Sequence, residues 1–176
     1  MAKYAYFGSG CFWCSEAVFS VLDGVVSTQP GYSGGTVANP SYETVCAGNT
    51  GHAEVTRVEY DPKTISLSEL LEVFFSMHDP TSLNRQGDDV GVQYRSVVFY
   101  ENTEDETEIR RSVDEVQKDF SKKIVTAVEP LKNFYPAESY HKDYFKKNPS
   151  AGYCRAVIRP KVEKIKLSYP QILARP

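Results

Sequence analysis

The chain has 176 residues, which suits one domain with a core of its own, and its formal net charge of −3 comes without a long basic run. This charge argues against a large nucleic-acid interface, and no apolar stretch is long enough to span a bilayer. The N-terminal residues lack the apolar segment of a secretory signal, and four cysteines are too few for a disulfide scaffold. We therefore expect a reducing, cytoplasmic setting, where a cysteine is more often catalytic or inert than a structural bridge.

The first sixty residues predict a strand, a helix and two further strands. Residues 3–10 alternate and end at glycines, as in a strand followed by a turn, and residues 12–22 have a helical pattern. Residues 25–35 predict a second strand that runs into a loop. The alternation over residues 51–60 predicts a third strand, in which Glu54 shares a face with apolar side chains.

Two pairs of residues in the middle of the chain indicate helix starts. Ser66 and Glu69 have the spacing of a capping box and precede an apolar stripe at helical spacing. Thr103 and Glu106 have the same spacing ahead of a second such stripe. Between these two predicted helices, residues 96–101 read SVVFYE, which is typical of a strand.

The order of these elements predicts the fold class. IVTAVEPL, residues 124–131, predicts one more strand, and AESYHKDYFKK, residues 137–147, one more helix. Residues from about 156–176 are rich in Pro, Lys and Arg, and we expect them to form an extended tail on the surface. The core order β-α-β-β-α-β predicts a ferredoxin-like α/β sandwich in a single domain, residues 1–176. A doubly wound sheet is the main competitor, and two adjacent strands without a helix between them argue against it.

Cys11 follows Gly10 at the predicted junction of strand and helix. Unpaired N–H groups and the positive end of the helix dipole meet there, and both favour a thiolate. A favourable helix terminus would lower the pKa of the Cys11 thiol by roughly one unit, enough for a nucleophile without a histidine base. The alternative is that Cys11 is a small buried residue, as free cysteines commonly are.

Cys14 completes a C-x-x-C spacing with Cys11. This spacing at a helix start is typical of a redox dithiol, in which the first cysteine is the nucleophile. It would also fit half of a zinc site, which needs a second pair of ligands. Cys46 and Cys154 are isolated in the sequence, so the sequence disfavours zinc.

Six segments that lie in order along the chain are GCFWCSEA, GYSGG, SYETVCAGNTGHAEVTRVEYDP, HDPTSLNRQGDDVGVQYRSVVFY, EPLKNFYPAESYHKDYFKKNP and GYC. Together they resemble the peptide methionine sulfoxide reductase A family, over residues 4 to about 155. The resemblance implies an α/β sandwich of ferredoxin-like type, which agrees with the pattern above. It also implies that the single domain is catalytic and repairs oxidised methionine.

The resemblance implies a role for each matching residue. The implied catalytic residues are Cys11, Glu54, Tyr42, Tyr94 and Cys154, and the implied substrate-binding residues are Phe12, Trp13 and Asp89. In the family the first cysteine is the nucleophile, the aromatic pair holds the methyl group on the sulfoxide sulfur, and the cysteine of Gly-Tyr-Cys is the recycling thiol. The family acts on the S epimer of methionine sulfoxide.

The chemistry of a sulfoxide explains the need for an acid at position 54. The oxygen is a poor leaving group until it is protonated. A glutamate with an ordinary pKa near 4.3 would be only ~0.2% protonated at pH 7. We therefore expect Glu54 to have a raised pKa, which a desolvated aromatic pocket would provide. The tyrosine hydroxyls can donate to the oxygen as negative charge develops on it.

The expected cycle forms a sulfenic acid on Cys11, which Cys154 converts to a disulfide for reduction by thioredoxin, or by dithiothreitol in vitro. Cys14 is a departure from the family, where glycine is common at this position, and it is a second candidate for the resolving thiol. We expect no bound cofactor or metal, no nucleic-acid or membrane partner, and a monomer. The substrate would be methionine-S-sulfoxide, free or in proteins.

Two rival functions remain open from the residues. One is a general dithiol–disulfide oxidoreductase that uses Cys11 and Cys14 and does not need Glu54. The other is a zinc-binding interaction module, in which the cysteines have no catalytic role.

Overall fold

The fold is built on a mixed six-stranded sheet, seen in a computed structural model that describes residues 1–175. The strands are β1 Lys3–Ser9, β2 Val25–Ser33, β3 Ala53–Tyr60, β4 Arg85–Gln86, β5 Asp89–Val90, β6 Ser96–Tyr100, β7 Ala127–Pro130 and β8 Tyr135–Pro136. The order across the sheet is β7-β6-β1-β3-β2-β8, and β4 and β5 form a separate hairpin. Neighbouring strands of the sheet are antiparallel except β6 and β7, which are parallel.

Six α-helices accompany the sheet within residues 1–175. They are α1 Phe12–Phe19, α2 Tyr42–Cys46, α3 Leu67–Met77, α4 Thr103–Gln117, α5 Tyr144–Lys147 and α6 Arg159–Ser168, and a π-helical turn, Cys154–Ile158, leads directly into α6. The predicted β-α-β-β-α-β order appears as β1, α1, β2, β3, α3 and β6, so an α/β fold is confirmed. None of the helices in this part of the chain combines the length and apolar character needed to cross a membrane.

The main core lies between the sheet and helices α1, α3 and α6. The ring of Phe7 on β1 stacks on Phe19 of α1 at 4.8 Å between centroids and contacts Phe74 of α3 at 5.2 Å. Val58 of β3 belongs to this core, whereas Val55 packs in a smaller cluster on the other side of the sheet. The predicted alternation of β3 is thus confirmed, and the face that carries Glu54 is the one covered by helices.

One of the two predicted capping boxes is confirmed and the other is wrong. At the start of α3, the Ser66 hydroxyl accepts from the Glu69 backbone N–H at 3.2 Å, and Glu69 accepts from the Ser66 N–H at 2.8 Å. Helix α4 is capped by Asn102 instead of Thr103: its side-chain oxygen accepts from the Asp105 N–H at 2.9 Å. Asparagine is among the best N-cap residues, so the helix begins one residue earlier than the Thr103 spacing predicts.

The predicted helix over 137–147 is also wrong. A 3₁₀ turn covers Ser139–His141 and the short α5 follows, because Asp143 between them has φ +54°. This left-handed conformation breaks the helical path, and aspartate is one of the residues that tolerate it.

The predicted extended tail over residues 156–176 is wrong for the residues that the structure describes; Pro176 lies outside them. Residues 154–168 are helical, and Ile158, Val162 and Ile165 are buried in the main core. These three side chains recur at helical spacing, a pattern partly hidden among the Lys and Arg residues of the segment. Pro160 fits because it lies next to the start of α6.

Replacement of Asn102 by alanine (N102A) is expected to lower the free energy of unfolding by about 1 kcal/mol, since α4 loses its capping oxygen. Urea titration of the two proteins measures this difference. The matched control is T103A, which changes the neighbouring residue and keeps the cap. An equal or larger loss of stability in T103A would contradict the assignment of Asn102 as the cap.

Candidate active site

Cys11 lies at the start of α1, directly after a sharp turn that ends β1. Gly10 makes this turn with φ +94°, and a Cβ atom there would lie 2.8 Å from Cβ of Gln86. Both facts favour glycine at position 10. Cys11 is the N-cap residue of α1, is partly buried, and has no side-chain capping bond. Its sulfur is therefore at the positive end of the helix, and capping does not fix its direction.

Glu54 of β3 reaches the same end of α1. Its Oε1 atom accepts a hydrogen bond from the Phe12 backbone N–H at 3.1 Å, and the residue is 2% exposed. A short hydrogen bond of 2.6 Å between the Ser15 and Thr56 hydroxyls ties α1 to β3 nearby. The carboxyl of Glu54 is thus positioned beside the backbone of the residue that follows Cys11.

Burial raises the pKa of Glu54 to about 8, although the Phe12 N–H favours its charged form. The charges of Asp89 and Cys14 raise it further. At pH 7 a carboxyl group with this pKa is about nine-tenths protonated. Glu54 can therefore act as a proton donor near neutral pH, as its place in the sequence predicts.

Cys11 and Cys14 both lie at the first turn of α1, and each thiol shifts the pKa of the other. The Cys14 backbone N–H donates to the Cys11 carbonyl at 3.1 Å. Burial raises the pKa of the Cys11 thiol, so the lowering predicted from the helix terminus alone is wrong. The hydrogen bond from Cys11 lowers the pKa of Cys14 to about 7. The first negative charge of the pair therefore forms on Cys14 near neutral pH, while Cys11 keeps its proton.

Tyr42 and Tyr94 come from two other segments. Tyr42 begins α2, and Tyr94 ends a 3₁₀ turn before β6. Burial raises the pKa of both phenols, and the charge of Glu54 raises it further in each case. Both hydroxyls therefore keep their protons and lie within electrostatic reach of Glu54. They can serve as hydrogen-bond donors to a developing negative charge.

The aromatic pair after Cys11 is fixed by partners late in the chain. The Phe12 ring is 1% exposed and lies 4.9 Å from the His141 ring and 5.7 Å from that of Tyr32. Trp13 stacks on Tyr144 at 3.7 Å, and its indole N–H donates to Nδ1 of His141 at 2.9 Å. These contacts hold both rings in one orientation at the start of α1.

A cavity of about 460 Å³ reaches Cys11 from the side of the β4–β5 hairpin. Its lining residues include Cys11, Met77, Asp89, Tyr153 and Lys161. Asp89 accepts a hydrogen bond from the Tyr153 hydroxyl at 2.8 Å, and the same hydroxyl lies 3.7 Å from the sulfur of Cys14. Of the residues singled out in the sequence, Cys11 and Asp89 thus line this cavity.

Cys154 is fully buried in the main core, at the beginning of the π-helical turn that precedes α6. Burial raises the pKa of its thiol, and the charge of Cys14 raises it further. The structure therefore places seven of the predicted residues around the start of α1 and keeps Cys154 inside the core. The seven are Cys11, Phe12, Trp13, Tyr42, Glu54, Asp89 and Tyr94.

Sequence reasoning missed two residues that support the site. Glu138 accepts from the Tyr32 hydroxyl at 2.9 Å and from the Tyr42 backbone N–H at 3.0 Å, and so fixes the start of α2. Tyr153 links Cys14 to Asp89. The sequence signal for both is their place inside the segments EPLKNFYPAESYHKDYFKKNP and GYC.

Within residues 1–175, no group of three or more His, Cys, Asp and Glu side chains has the arrangement of a metal site. All four cysteines are free thiols. The zinc alternative therefore finds no set of ligands in this part of the chain.

Comparison with known proteins agrees with this geometry. A family model described as "Peptide methionine sulfoxide reductase" matches residues 3–172. The peptide methionine sulfoxide reductase MsrA of Picrophilus torridus is 52% identical over 174 residues, which cover 96% of each chain. Among solved structures, reduced Mxr1 from Saccharomyces cerevisiae matches with a TM-score of 0.83 and 42% identity, over 87% of this chain and 89% of that one.

A second structure of Mxr1 from Saccharomyces cerevisiae, in complex with Trx2, matches with a TM-score of 0.59 and 32% identity over 81% of this chain and 84% of that one. The family model covers nearly the whole chain, and about half of the residues are identical to those of the Picrophilus relative. The chain therefore belongs to the peptide methionine sulfoxide reductase A (MsrA) family and is an oxidoreductase of that family.

Proposed function

We propose that this enzyme reduces the S epimer of methionine sulfoxide, free or in proteins, with Cys11 as the nucleophile and Glu54 as the proton donor. One observation carries this proposal. The Glu54 carboxyl has a pKa of about 8 and is bonded to the backbone of the residue after Cys11. A nucleophile and a neutral acid side by side meet the two requirements of attack on a sulfoxide.

In the proposed step, Cys11 passes its proton to the Cys14 thiolate and attacks the sulfoxide sulfur, which forms a bond between the two sulfurs while the oxygen takes a proton from Glu54. The oxygen then moves to the Cys11 sulfur, its bond to the substrate sulfur and the bond between the two sulfurs both break, and methionine leaves. Cys11 gains the oxygen and its proton as a sulfenic acid, so Cys11 is oxidised by two electrons and the sulfoxide is reduced by two. Glu54 then takes up the proton that the thiol pair had released, which restores the acid.

The aromatic residues have two proposed roles. The Tyr42 and Tyr94 hydroxyls donate hydrogen bonds to the oxygen while it carries negative charge, and their retained protons support this role. Phe12 and Trp13 provide an apolar slot for the methyl group, and a rigid slot selects one configuration at sulfur by shape. Asp89 lines the cavity through which the substrate would enter.

We also propose thioredoxin as the reductant of the oxidised enzyme, with no bound cofactor. The complex of the related yeast protein Mxr1 with Trx2 supports this proposal. Dithiothreitol would replace thioredoxin in vitro, because both supply two electrons by thiol–disulfide exchange. We further interpret the four central strands β6-β1-β3-β2, with α1 and α3, as the ferredoxin-like core of a single catalytic domain that acts as a monomer in the cytoplasm.

A general dithiol–disulfide oxidoreductase is the second candidate function. The two free thiols Cys11 and Cys14 at a helix start favour it, since such pairs reduce disulfides in other proteins. This activity would need both thiols and would not need Glu54. The two functions therefore differ in their demand on Glu54.

The separated R and S sulfoxides of a blocked methionine, each with dithiothreitol, test the proposed activity and its selectivity. We expect consumption of the S epimer alone, because the slot formed by Phe12 and Trp13 accepts the methyl group in one configuration. Chromatography of the reduced product measures both rates. The C11S variant should consume neither epimer, and equal rates for the two epimers in the wild type would contradict the proposal.

Replacement of Glu54 by glutamine (E54Q) is expected to lower kcat/KM for the sulfoxide by about 10²–10⁴, the usual contribution of a general acid. In the wild type, kcat/KM should fall as the pH rises above about 8, because Glu54 then loses its proton. The residual activity of E54Q should lack this decline, since an amide does not titrate in this range. A pH series of initial rates measures both effects.

The matched control is E16Q, which replaces another buried carboxyl on α1 with a raised pKa. Glu16 is paired with Lys142 at 3.4 Å, away from the thiols, so E16Q should keep the decline above pH 8. If E54Q retained full sulfoxide activity, Glu54 would not be the proton donor. If the wild type consumed neither sulfoxide epimer and reduced a disulfide substrate instead, the dithiol–disulfide alternative would replace the proposed function.

A further inference from the structure

We propose that Cys14, and not Cys154, is the thiol that first condenses with the sulfenic acid on Cys11, and that Tyr153 and Asp89 position it for this step. The inference rests on the proposed function, which supplies the sulfenic acid. The inference concerns the step that resolves the sulfenic acid. It assigns this step to position 14, at which glycine is common in the family.

The two sulfurs belong to one helical turn. Cys11 is the N-cap and Cys14 is three residues later, with a backbone hydrogen bond of 3.1 Å between them. Side chains three apart on a helix have Cβ atoms about 5–6 Å apart, slightly farther than the roughly 3.5–4.5 Å of a disulfide. Cys11 has extended backbone angles, φ −60° and ψ 125°, and no capping bond, so its side chain can turn towards Cys14. C-x-x-C disulfides at helix starts have this arrangement.

A disulfide between Cys11 and Cys14 does not require the rings of Phe12 and Trp13 to move. The Phe12 ring is held by Tyr32 and His141, and Trp13 by Tyr144 and a hydrogen bond to His141. These partners fix the two intervening side chains independently of the sulfurs. A disulfide between residues 11 and 14 would therefore form through movement of the Cys11 side chain and the N-cap backbone.

Cys154 belongs to a different helical segment from Cys11, whereas Cys14, although equally buried, lies in the first turn of the same helix. Cys154 is fully buried in the main core, in a π-helical turn that continues into α6. Ile158 and Val162, on the following turns, are buried in the same core. Cys154 is thus held in another helical segment by buried neighbours, whereas the Cys14 backbone N–H donates directly to the Cys11 carbonyl. We therefore expect the thiol in the same helical turn as Cys11 to react first.

Tyr153 and Asp89 act on the sulfur of Cys14. The Tyr153 hydroxyl donates its single proton to Asp89 at 2.8 Å while Cys14 is a thiol, and it lies 3.7 Å from the Cys14 sulfur, to which it can donate instead once Cys14 is a thiolate. Asp89 lines the cavity and is partly exposed, so the relay connects the buried sulfur to solvent. In the reduced enzyme the pKa of Cys14 is lowered to about 7 by the Cys11 hydrogen bond first, and the lowering effects of the Lys161 charge and the Tyr153 hydroxyl do not depend on the Cys11 thiol. A thiol whose pKa is near the ambient pH is the most effective attacking group.

The step balances without another reactant. The Cys14 sulfur attacks the Cys11 sulfur, an S–S bond forms, and the S–O bond of the sulfenic acid breaks. The oxygen leaves as water, with one proton from the sulfenic acid and one from the Cys14 thiol. The two sulfurs share the oxidation in the new disulfide, which a dithiol reductant later opens with two electrons.

Trypsin separates the candidate disulfides by mass. The peptide of residues 4–57 contains Cys11, Cys14 and Cys46 with no lysine or arginine before Arg57, and Cys154 lies in the peptide 148–155. The enzyme receives one equivalent of S-sulfoxide without a reductant and is then quenched with an alkylating agent at a series of short times. Released methionine is counted in the same samples.

We expect one methionine per enzyme and a peptide 4–57 that has lost two hydrogens and carries one alkyl group, while Cys154 is alkylated. The C46S variant should keep this internal disulfide, which identifies the pair as Cys11 and Cys14. Peptide 4–57 joined to peptide 148–155 at the earliest times would overturn the inference and leave the proposed function standing. Absence of released methionine would overturn the proposed function, and the inference with it.

The lifetime of the Cys11 sulfenic acid in variants of Cys14 tests the same step independently of the peptide masses. C14S should lengthen the lifetime of the sulfenic acid, trapped with dimedone, at least tenfold, and C14A serves as a second variant at this buried position. C154S, the matched control, should still form the internal disulfide. If C14S and C14A both lost the sulfenic acid as fast as the wild type, Cys14 would not be the resolving thiol.

The Y153F variant tests the positioning role of Tyr153. Loss of the hydroxyl should slow decay of the sulfenic acid about tenfold and move its pH dependence to higher pH, because Cys14 loses a hydrogen bond that favours its thiolate. The rate of methionine release in the first turnover reports the earlier step for comparison. Unchanged decay with an unchanged pH profile would overturn the role given to Tyr153.

Discussion

The contact between the Glu54 carboxyl and the backbone at the start of α1 is the interaction on which the site depends. It joins the central strand β3 to the helix that carries Cys11, and it brings together residues 42 positions apart. Two physical effects oppose each other there. The hydrogen bond from the Phe12 N–H favours a charged Glu54 carboxylate, whereas burial favours the neutral acid. Burial has the larger effect on the pKa. A carboxyl at a helix start would ordinarily be charged, so the enclosure of Glu54 decides its chemistry.

The same competition governs the thiols. The helix terminus favours a thiolate, but burial raises the pKa of Cys11. Cys14 changes the outcome, because a hydrogen bond between two thiols stabilises the charge left when one proton is lost. The first turn of α1 thus provides one negative charge, on the Cys14 sulfur, near a neutral acid. The thiol pair can therefore carry a negative charge at the same pH at which Glu54 is neutral.

A second set of residues, late in the chain, holds the first set in place. His141 accepts from the Trp13 indole, Glu138 fixes Tyr32 and the start of α2, and Tyr153 connects Cys14 with Asp89. These residues follow β7 and carry no regular motif of catalysis. They hold aromatic rings and hydroxyl groups in fixed orientations at the N-terminus of α1.

Local patterns in the sequence determined the order of the main elements, the two faces of β3, the cap of α3 at Ser66 and the place of Cys11 at a helix start. Each of these depends on neighbours within a few residues, so one chain without coordinates contains the information. The resemblance to the family also named the residues that lie around the N-terminus of α1. The cap of α4 at Asn102 and the short α5 were not predicted, because one competing side chain or one left-handed residue shifts a boundary.

Only the tertiary structure decided the burial of Glu54, the opposite pKa shifts of Cys11 and Cys14, the Tyr153–Asp89 hydrogen bond and the burial of Cys154 in a helical C-terminal segment. Desolvation and hydrogen bonding across the fold depend on which distant segments cover a side chain. The spacing of residues along the chain does not show which segments will bury a given side chain. The sequence therefore identified the reactive residues, whereas packing determined their protonation and their exposure to solvent.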